Sequence, residues 1–476
     1  MKYNVSIETL CPLHISSGVE LLREFDFDCR DSYTYVLNQN AIYQYELKTH
    51  GAKARLNEPA ARLLRPEQLA PDSPFVSYTL SNGTTLATIQ EQIKDPDGCC
   101  YLPGSSLKGA LRTAIMAFVA CRNPERLDVA DLNPFARKEE AAKPWERDLF
   151  GENPSKSIFR ALQVFDSRPL PRERLQLCQV SLCVEDEVEV PIAVEAVQRG
   201  TVFSTSIHID ELALAYAGKL GWKEKALWLA DLVRIIQEVS EQRIEIELKW
   251  ARKNGFVEIA GFYEELGRLA EKLKGSRAFL LQIGWGSGWN GTTVGPFLSE
   301  EQQKQVREMY RLGTPPKAGK DWQPDLAQPF PKTRCYSVKG ERHPQPTTPL
   351  GWATVLLESA EAASEQWKEL QREARKQLRP FAGKRASHPA PVIRTRVTLF
   401  TAAPEPGQRF FGTVDDIVKD QAYLSIPILS DEEWVGVAKL PEKGLGIDEK
   451  VLCEVVSVQR DPHNPEGWLV RCEIVR

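Results

Sequence analysis

The stretch Leu281–Gly295, LQIGWGSGWNGTTVG, holds five glycines among two tryptophans, an asparagine and three hydroxyl residues. With no Cβ atoms in the way, Gly284, Gly286, Gly288 and Gly291 let backbone N–H groups come close to an anion. Trp285 and Trp289 add flat faces on which a base could stack. A dinucleotide-binding loop would continue Gly-x-Gly-x-x-Gly into a helix. Here Thr292, Thr293, Val294, Gly295 and Pro296 follow, a poor opening for an ordinary helix. Taken alone, the loop reads as a tight turn whose tryptophans fill core.

A second segment, Tyr101–Ala114, reads YLPGSSLKGALRTA. Pro103 and Gly104 make a turn, and Ser105 or Ser106 can cap a helix. Leu107, Leu111, Ile115 and Phe118 then recur at helical spacing and bury one face. Lys108 and Arg112, four residues apart, share another. A helix start with free N–H groups, two hydroxyls and two nearby cations suits a phosphate. Catalytic constellations are scarce. Of six histidines none forms a spaced pair fit for a metal. His14, at the end of the first strand beside Ser16, Ser17 and Gly18, is the one histidine that stands as a candidate general acid or base. Asp26 and Asp28 alternate with Phe25, Phe27 and Cys29 as in a half-buried strand, and read as structural or solvated. Asp166-Ser167 reads as a turn, and no Gly-x-Ser-x-Gly elbow appears.

The two segments together resemble the helix-start motif and glycine-rich loop of the RAMP superfamily of CRISPR RNA-binding proteins. Thr9–Gly18 (TLCPLHISSG) is similar to that family's first strand and turn. Ile158–Ser167 (IFRALQVFDS), Pro331–Arg334 (PKTR) and Pro349–Trp352 (PLGW) resemble one subgroup, the fifth subunit of the Csm (type III-A) effector complex. The resemblance spans roughly residues 1–360 as ordered landmarks and implies a non-catalytic subunit that binds guide RNA (crRNA) at its 3′ part. It implies phosphates held by the backbone N–H groups of Gly284–Gly291, with Gly284, Gly286, Gly288 and Asn290 among them, and by the helix start at Ser105 and Ser106. It implies Lys108, Arg112, Lys332 and Arg334 neutralising them, with His14, Ser17, Gly18, Arg160, Trp285 and Trp289 also against RNA. Such contacts position RNA without reading its sequence. The implied partners are crRNA, the repeated backbone RAMP subunit and the small helical subunit, with target RNA or a host nuclease beyond them; no cofactor or metal is implied. His14 is read as packed under the sheet or bonded to the RNA backbone. The rivals are a metal-independent endoribonuclease that processes crRNA through His14, and a scaffold that recruits a nuclease.

Length and composition agree with this class. At 476 residues the chain is long enough for two to four domains, and 42% hydrophobic content supplies ordinary cores. No apolar run reaches the ~20 residues that span a bilayer, and Met1–Glu8 opens directly as an alternating strand without a signal-peptide core. Ten scattered cysteines contain no Cys-x-x-Cys pair, so a zinc ribbon is not expected and reduced thiols in the cytosol are. Cys11, Cys178, Cys183, Cys453 and Cys472 fall in strand-like stretches and read as small core residues. The net charge is −4, but bases gather between Lys368 and Arg396. An acidic total with basic stripes suits a subunit that touches RNA on one face and protein on others.

The elements expected to position these groups are strands at 2–10, 34–37, 41–45, 159–165, 175–183, 203–209 and 278–283. A helical and loop insertion is expected over 46–98, an irregular mobile loop over 123–157, and a helical block over 212–274. Strand, helix, strands, helices and strand predict an α+β, ferredoxin-like (RRM-like) RAMP body over 1–365. A basic helix and linker follow over 366–391. Over 392–476 five short strands, with Gly412 as a bend, predict an all-β, OB-like RNA-binding barrel. On it Phe411, Tyr423 and Trp434 would form a stacking platform.

Overall fold

The structure, a computed structural model, describes residues 1–476 apart from 124–125, 185–186, 190, 314–318, 320–322, 324–325, 328–329, 379–403, 419–420, 426–432, 440–449, 461–466 and 475–476. The chain divides into two units. The first comprises Met1–Arg126, Glu146–Leu298 and Ala327–Phe381; the second comprises Leu127–Trp145, Ser299–Leu326 and Ala382–Arg476.

The first unit is built on two sheets. One runs Ala278–Gln282, Trp352–Ser359, Lys2–Thr9, Val202–Ile209 and Leu162–Val164, antiparallel throughout. The alternation read at the N-terminus is real: Val5 and Ile7 are buried while Lys2, Asn4 and Glu8 face solvent. Strand Trp352–Ser359 lies between the first strand and Ala278–Gln282, so the strand entering the glycine loop is one place further out than a simple closing strand. Helix Leu232–Lys253 packs on that strand, on Val257–Leu273 and on helix Gly104–Arg122. Leu107, Leu111, Ile115 and Phe118 form the buried face of Gly104–Arg122, as their spacing predicts. Each such side chain contributes about 1.5–3 kcal/mol on burial.

The second sheet runs Ser16–Leu22, Thr88–Gln92, Ile192–Val197, Leu175–Val184, Val76–Ser81, Tyr33–Leu37 and Phe27–Arg30. Strand Thr333–Lys339 also pairs with Leu175–Val184 and carries Gln345–Thr348. Several expectations change here. Residues 41–45 are helical within Gln39–His50, because Asn38 caps the helix at Ala41 N–H and the inward positions Ile42 and Glu46 lie four apart. The 46–98 stretch has short 3-10 turns but also strands Val76–Ser81 and Thr88–Gln92, which lie between Pro74 and Pro96 and join the sheet. Ile158–Ala161 is a 3-10 turn capped by Ser157, and only Leu162–Val164 is strand. The supposed loop at 123–157 contains helix Lys143–Phe150. The helical block comprises Glu211–Ala215, Lys225–Ala230, Leu232–Lys253 and Val257–Leu273.

In the second unit, Ser299 and Gln302 form a capping box that opens helix Glu300–Met309. Gln302 and Tyr310 tie this helix region to the carbonyls of Leu127 and Asn133. The C-terminal strands close into a barrel in the order Arg409–Val418, Gln421–Ser425, Glu433–Lys439, Gly467–Ile474 and Lys450–Arg460. Glu433–Lys439 and Gly467–Ile474 run parallel; the other pairs are antiparallel. Leu424, Ala438, Cys453, Val455, Val470 and Cys472 are buried in it. Gly412 stays in register opposite Val451; the irregularity falls between Val414 and Asp416, so the expected bend is displaced. The basic helix is Glu365–Gln377, where Lys368 pairs with Glu365 and Arg372 with Glu369. The linker expected at 380–391 lies outside the described residues. All ten cysteines are free, and the five read as core residues are buried.

Candidate nucleic-acid interface

Three landmarks far apart in sequence meet at the end of the first strand. The turn after Thr9, the glycine loop and the Pro349–Trp352 segment are laced by backbone hydrogen bonds. Trp285 N–H donates to the His14 carbonyl at 2.8 Å, Gly351 N–H to Pro12 at 2.9 Å, and Ile283 N–H to Gly351 at 2.8 Å. The glycines are required by this closeness. Gly284 has φ +85°, and a Cβ there would lie 2.4 Å from the His14 carbonyl oxygen. Gly286, also at positive φ, is pressed against Leu350. Gly295 lies beneath the Trp289 ring, so close that a Cβ would fall 1.8 Å from it. Gly288 opens a five-residue helix, Gly288–Thr292, where no helix was expected.

The two tryptophans therefore differ. Trp289 packs on Gly295 and edge-on against Phe330, with ring centroids 4.8 Å apart. It is a core wedge. Trp285 remains 38% exposed and meets the His14 ring at 90° with centroids 5.7 Å apart. His14 itself is only 1% exposed. Its Nδ1 lies 2.6 Å from the Glu195 carbonyl oxygen. A carbonyl only accepts, so Nδ1 carries the proton. Burial pushes the His14 pKa below its ordinary value, the Glu195 hydrogen bond opposes this, and nearby Lys94 lowers it further. Ser17 donates to Glu91 at 2.8 Å, and Gly18 turns at φ +85° with open space around its Cα.

Glu195 was not picked out from sequence. Its fully buried carboxylate accepts from Tyr78, from Gln92 N–H at 3.0 Å and from Lys94. The signal was an acid inside the apolar run Ile192–Val197. Through this residue, the Gln92–Lys94 segment and the His14 turn are held together, and Ile93 N–H donates to the Ile15 carbonyl at 2.8 Å.

At the helix start, Pro103 is the N-cap and no side chain caps from within; Ser105 and Ser106 lie inside the first turn. The capping role passes to Asp166, whose Oδ1 accepts from Gly104 N–H at 2.7 Å, while Ser167 Oγ accepts from Leu102 N–H at 2.9 Å. The expected anion place is thus met in part by the chain's own carboxylate. Of the expected cations, Lys108 donates to the Phe159 carbonyl at 2.9 Å, and burial and Arg112 lower its pKa. Arg112 pairs with Glu146 and lies over the Phe150 ring. Arg160 is exposed, bonds the Ser155 carbonyl and lies over Trp222. Lys332 is half-buried. Helix Gly104–Arg122 contacts Gly295–Phe297, which joins the helix to the glycine loop.

Asn290 and Arg334, both expected against RNA, turn inward. Glu247 takes the Asn290 amide on one oxygen and Arg334 Nε at 2.6 Å on the other, and Arg334 lies over Trp250. Glu247 is another residue missed in the sequence, an acid on the buried face of Leu232–Lys253. Phe411, Tyr423 and Trp434 fall on barrel strands, but their side chains lie outside the described set. Asp26 accepts from Leu22 N–H and Gln39, and Asp28 from Cys29 N–H, as structural acids do. Among the described residues no group of His, Cys, Asp and Glu side chains could hold a metal ion.

The RAMP superfamily model matches residues 6–290. The chain belongs to the RAMP superfamily. This RAMP protein is 28% identical to the CRISPR system Csm5 protein of Methanocaldococcus jannaschii over 384 residues, 74% of the chain and 88% of that relative. Csm5 of Streptococcus thermophilus is 30% identical over 199 residues, 37% of the chain and 54% of that relative. A chain in the cryo-EM structure of a Csm–crRNA–target RNA ternary complex of a type III-A CRISPR-Cas system is similar at 26% identity and TM-score 0.56, covering 75% of this chain and 100% of that one. The crystal structure of T. onnurineus Csm5 shares the fold, with 23% identity, TM-score 0.51 and coverage of 74% and 99%.

Proposed function

We propose that this chain is a crRNA-binding subunit of a type III-A Csm-like complex in RNA-guided defence, capping the protein backbone at the crRNA 3′ end without catalysing a reaction. The observation that carries this reading is the junction of the His14 turn, the glycine loop and Gly351 around an exposed Trp285. A rigid, glycine-lined junction with one open aromatic face can hold ribose-phosphate backbone and stack a base without sequence preference. Kinship to Csm5 proteins, and the likeness to a chain of a Csm–crRNA–target RNA complex, support the same assembly. Its partners would be crRNA, the repeated backbone subunit and the small helical subunit, in the cytoplasm.

We read the first sheet with its two long helices as a ferredoxin-like core carrying an extra strand. We read the barrel as OB-like, from its five strands and one parallel pair, and it would extend RNA contact toward the 3′ end or target RNA. Burial of His14 favours a structural histidine over a nuclease base. The test is co-purification of tagged protein from its host with sequencing of bound RNA. Short RNAs with a constant 5′ tag and variable spacers are expected, whereas untagged cellular RNA fragments would overturn the reading. Tag-specific cleavage of repeat RNA that is lost in His14→Ala and insensitive to chelator would instead establish the endoribonuclease.

A further inference from the structure

Phe165 stands one residue beyond strand Leu162–Val164 and is left 51% exposed. Its N–H donates to the Ser206 carbonyl at 3.1 Å, so the ladder with Val202–Ile209 runs one residue past the strand's end. Along that ladder Val164 lies opposite Ile207 and Gln163 opposite His208. Ile207 is core, so by alternation Gln163 and Phe165 stand on the other face, with Ser204, Ser206 and His208. On the neighbouring first strand, Asn4 lies opposite Ser206 and Ser6 opposite Ser204. The ring therefore sits on a sheet face of hydroxyls, amides and an imidazole. Gln163, Ser204 and Asn4 on it are exposed.

The same strand end is bound to the start of helix Gly104–Arg122. Asp166 Oδ1 accepts from Gly104 N–H at 2.7 Å. A Cβ on Gly104 would fall 2.5 Å from the Val164 carbonyl oxygen and 2.7 Å from the Phe165 carbonyl carbon. Thr205 Oγ1 donates to the Phe165 carbonyl at 2.6 Å. The backbone that presents the ring is thus held from the helix on one side and the sheet on the other. Exposed Ser105 follows Gly104 directly, so a phosphate at the helix start would lie beside this strand end. Arg168, also exposed, donates its N–H to the Ser204 carbonyl at 2.9 Å and adds a cation to the same edge. The surroundings choose the occupant. A protein partner's apolar surface would meet Ser204, Ser206 and Gln163 around the ring; on Val202–Ile209 the exposed apolar Val202 comes only beyond Ser204. A nucleobase matches better, since its flat face stacks on an aromatic ring while its edge bonds to hydroxyls and amides.

We infer that Phe165 stacks a base of single-stranded RNA on the open face of the first sheet, next to the helix start; this rests on the crRNA-binding reading above and extends the RNA path beyond the Trp285 junction. The test is titration of the full chain with a labelled oligouridine, read beside thermal unfolding. Phe165→Ala is expected to weaken binding about tenfold, as loss of one stacked base would, while Tm stays unchanged because the ring is exposed. Phe165→Trp should keep the affinity, which a merely structural role would not require. Photocrosslinking of a thio-substituted oligouridine to the unaltered chain should label the peptide that contains Phe165. Equal affinity of Phe165→Ala and the unaltered chain, with Trp285→Ala still weakened, overturns this inference and leaves the crRNA-binding reading standing. Unchanged RNA affinity together with lost binding to the repeated backbone subunit would likewise overturn it and make this face a protein contact. An unaltered chain that binds no RNA overturns both.

Discussion

At the scale of single residues, the groups whose types suggested RNA chemistry divide into those that face out and those the fold turns inward. Arg334 is the clearest case of the second kind. Its guanidinium is buried on Glu247, so Arg334→Ala leaves a buried carboxylate with one partner fewer and is expected to cost about 3–5 kcal/mol of stability. Denaturant unfolding checks this; a stable variant whose only defect is a shallower salt dependence of RNA binding would make Arg334 a phosphate ligand instead. His14 gives a pH signature. Its folded pKa lies below the unfolded value of 6.5, so as pH falls through 6.5 the unfolded chain takes up a proton that the folded chain refuses. Stability contributed by His14 is therefore full above that pH and lost below it. Tm should drop between pH 7 and pH 5, and His14→Gln should flatten that drop.

At the scale of elements, the glycine loop is fixed by near-contact rather than by freedom. Gly284→Ala places a Cβ against the His14 carbonyl at a positive φ, and is expected to destabilise by about 2–4 kcal/mol and to abolish crRNA retention together. Trp285→Ala should leave Tm nearly unchanged and weaken crRNA binding about tenfold, as loss of one stacked base would. The contrast between the two variants, read by melting and by RNA titration, separates loop architecture from loop surface. Helix Gly104–Arg122 was legible from its apolar spacing and from the Pro-Gly turn. Its cap was not, because Asp166 comes from a segment brought alongside only by the sheet. Likewise Ala41–Tyr45 alternates enough to suggest a strand, but the Asn38 cap and inward Ile42 and Glu46 make it helix.

At the scale of the whole molecule, a net charge of −4 with bases gathered in particular stretches fits a protein that meets RNA locally. If the C-terminal barrel adds single-strand contact, a chain ending at Gln377 should still retain crRNA but protect about 4–16 fewer nucleotides at the 3′ end. Nuclease footprinting of the two forms checks this, and an unchanged footprint would assign the barrel to protein contact. The sequence alone determined what depends on local periodicity and on near neighbours: the first strand, the long helices, the five barrel strands and the buried cysteines. It also held the ordered landmarks that place the chain in its superfamily. Only the tertiary structure decided which polar groups remain available. Lys108, Arg112, Asn290 and Arg334 look alike as exposed donors on paper, yet long-range pairing with Phe159, Glu146 and Glu247 engages each of them. The same holds for Glu195, whose partners Tyr78, Gln92 and Lys94 lie about a hundred residues away and become neighbours only when the second sheet forms. Burial makes such pairings obligatory, since an unpaired charge in the core costs more than any local preference can offset.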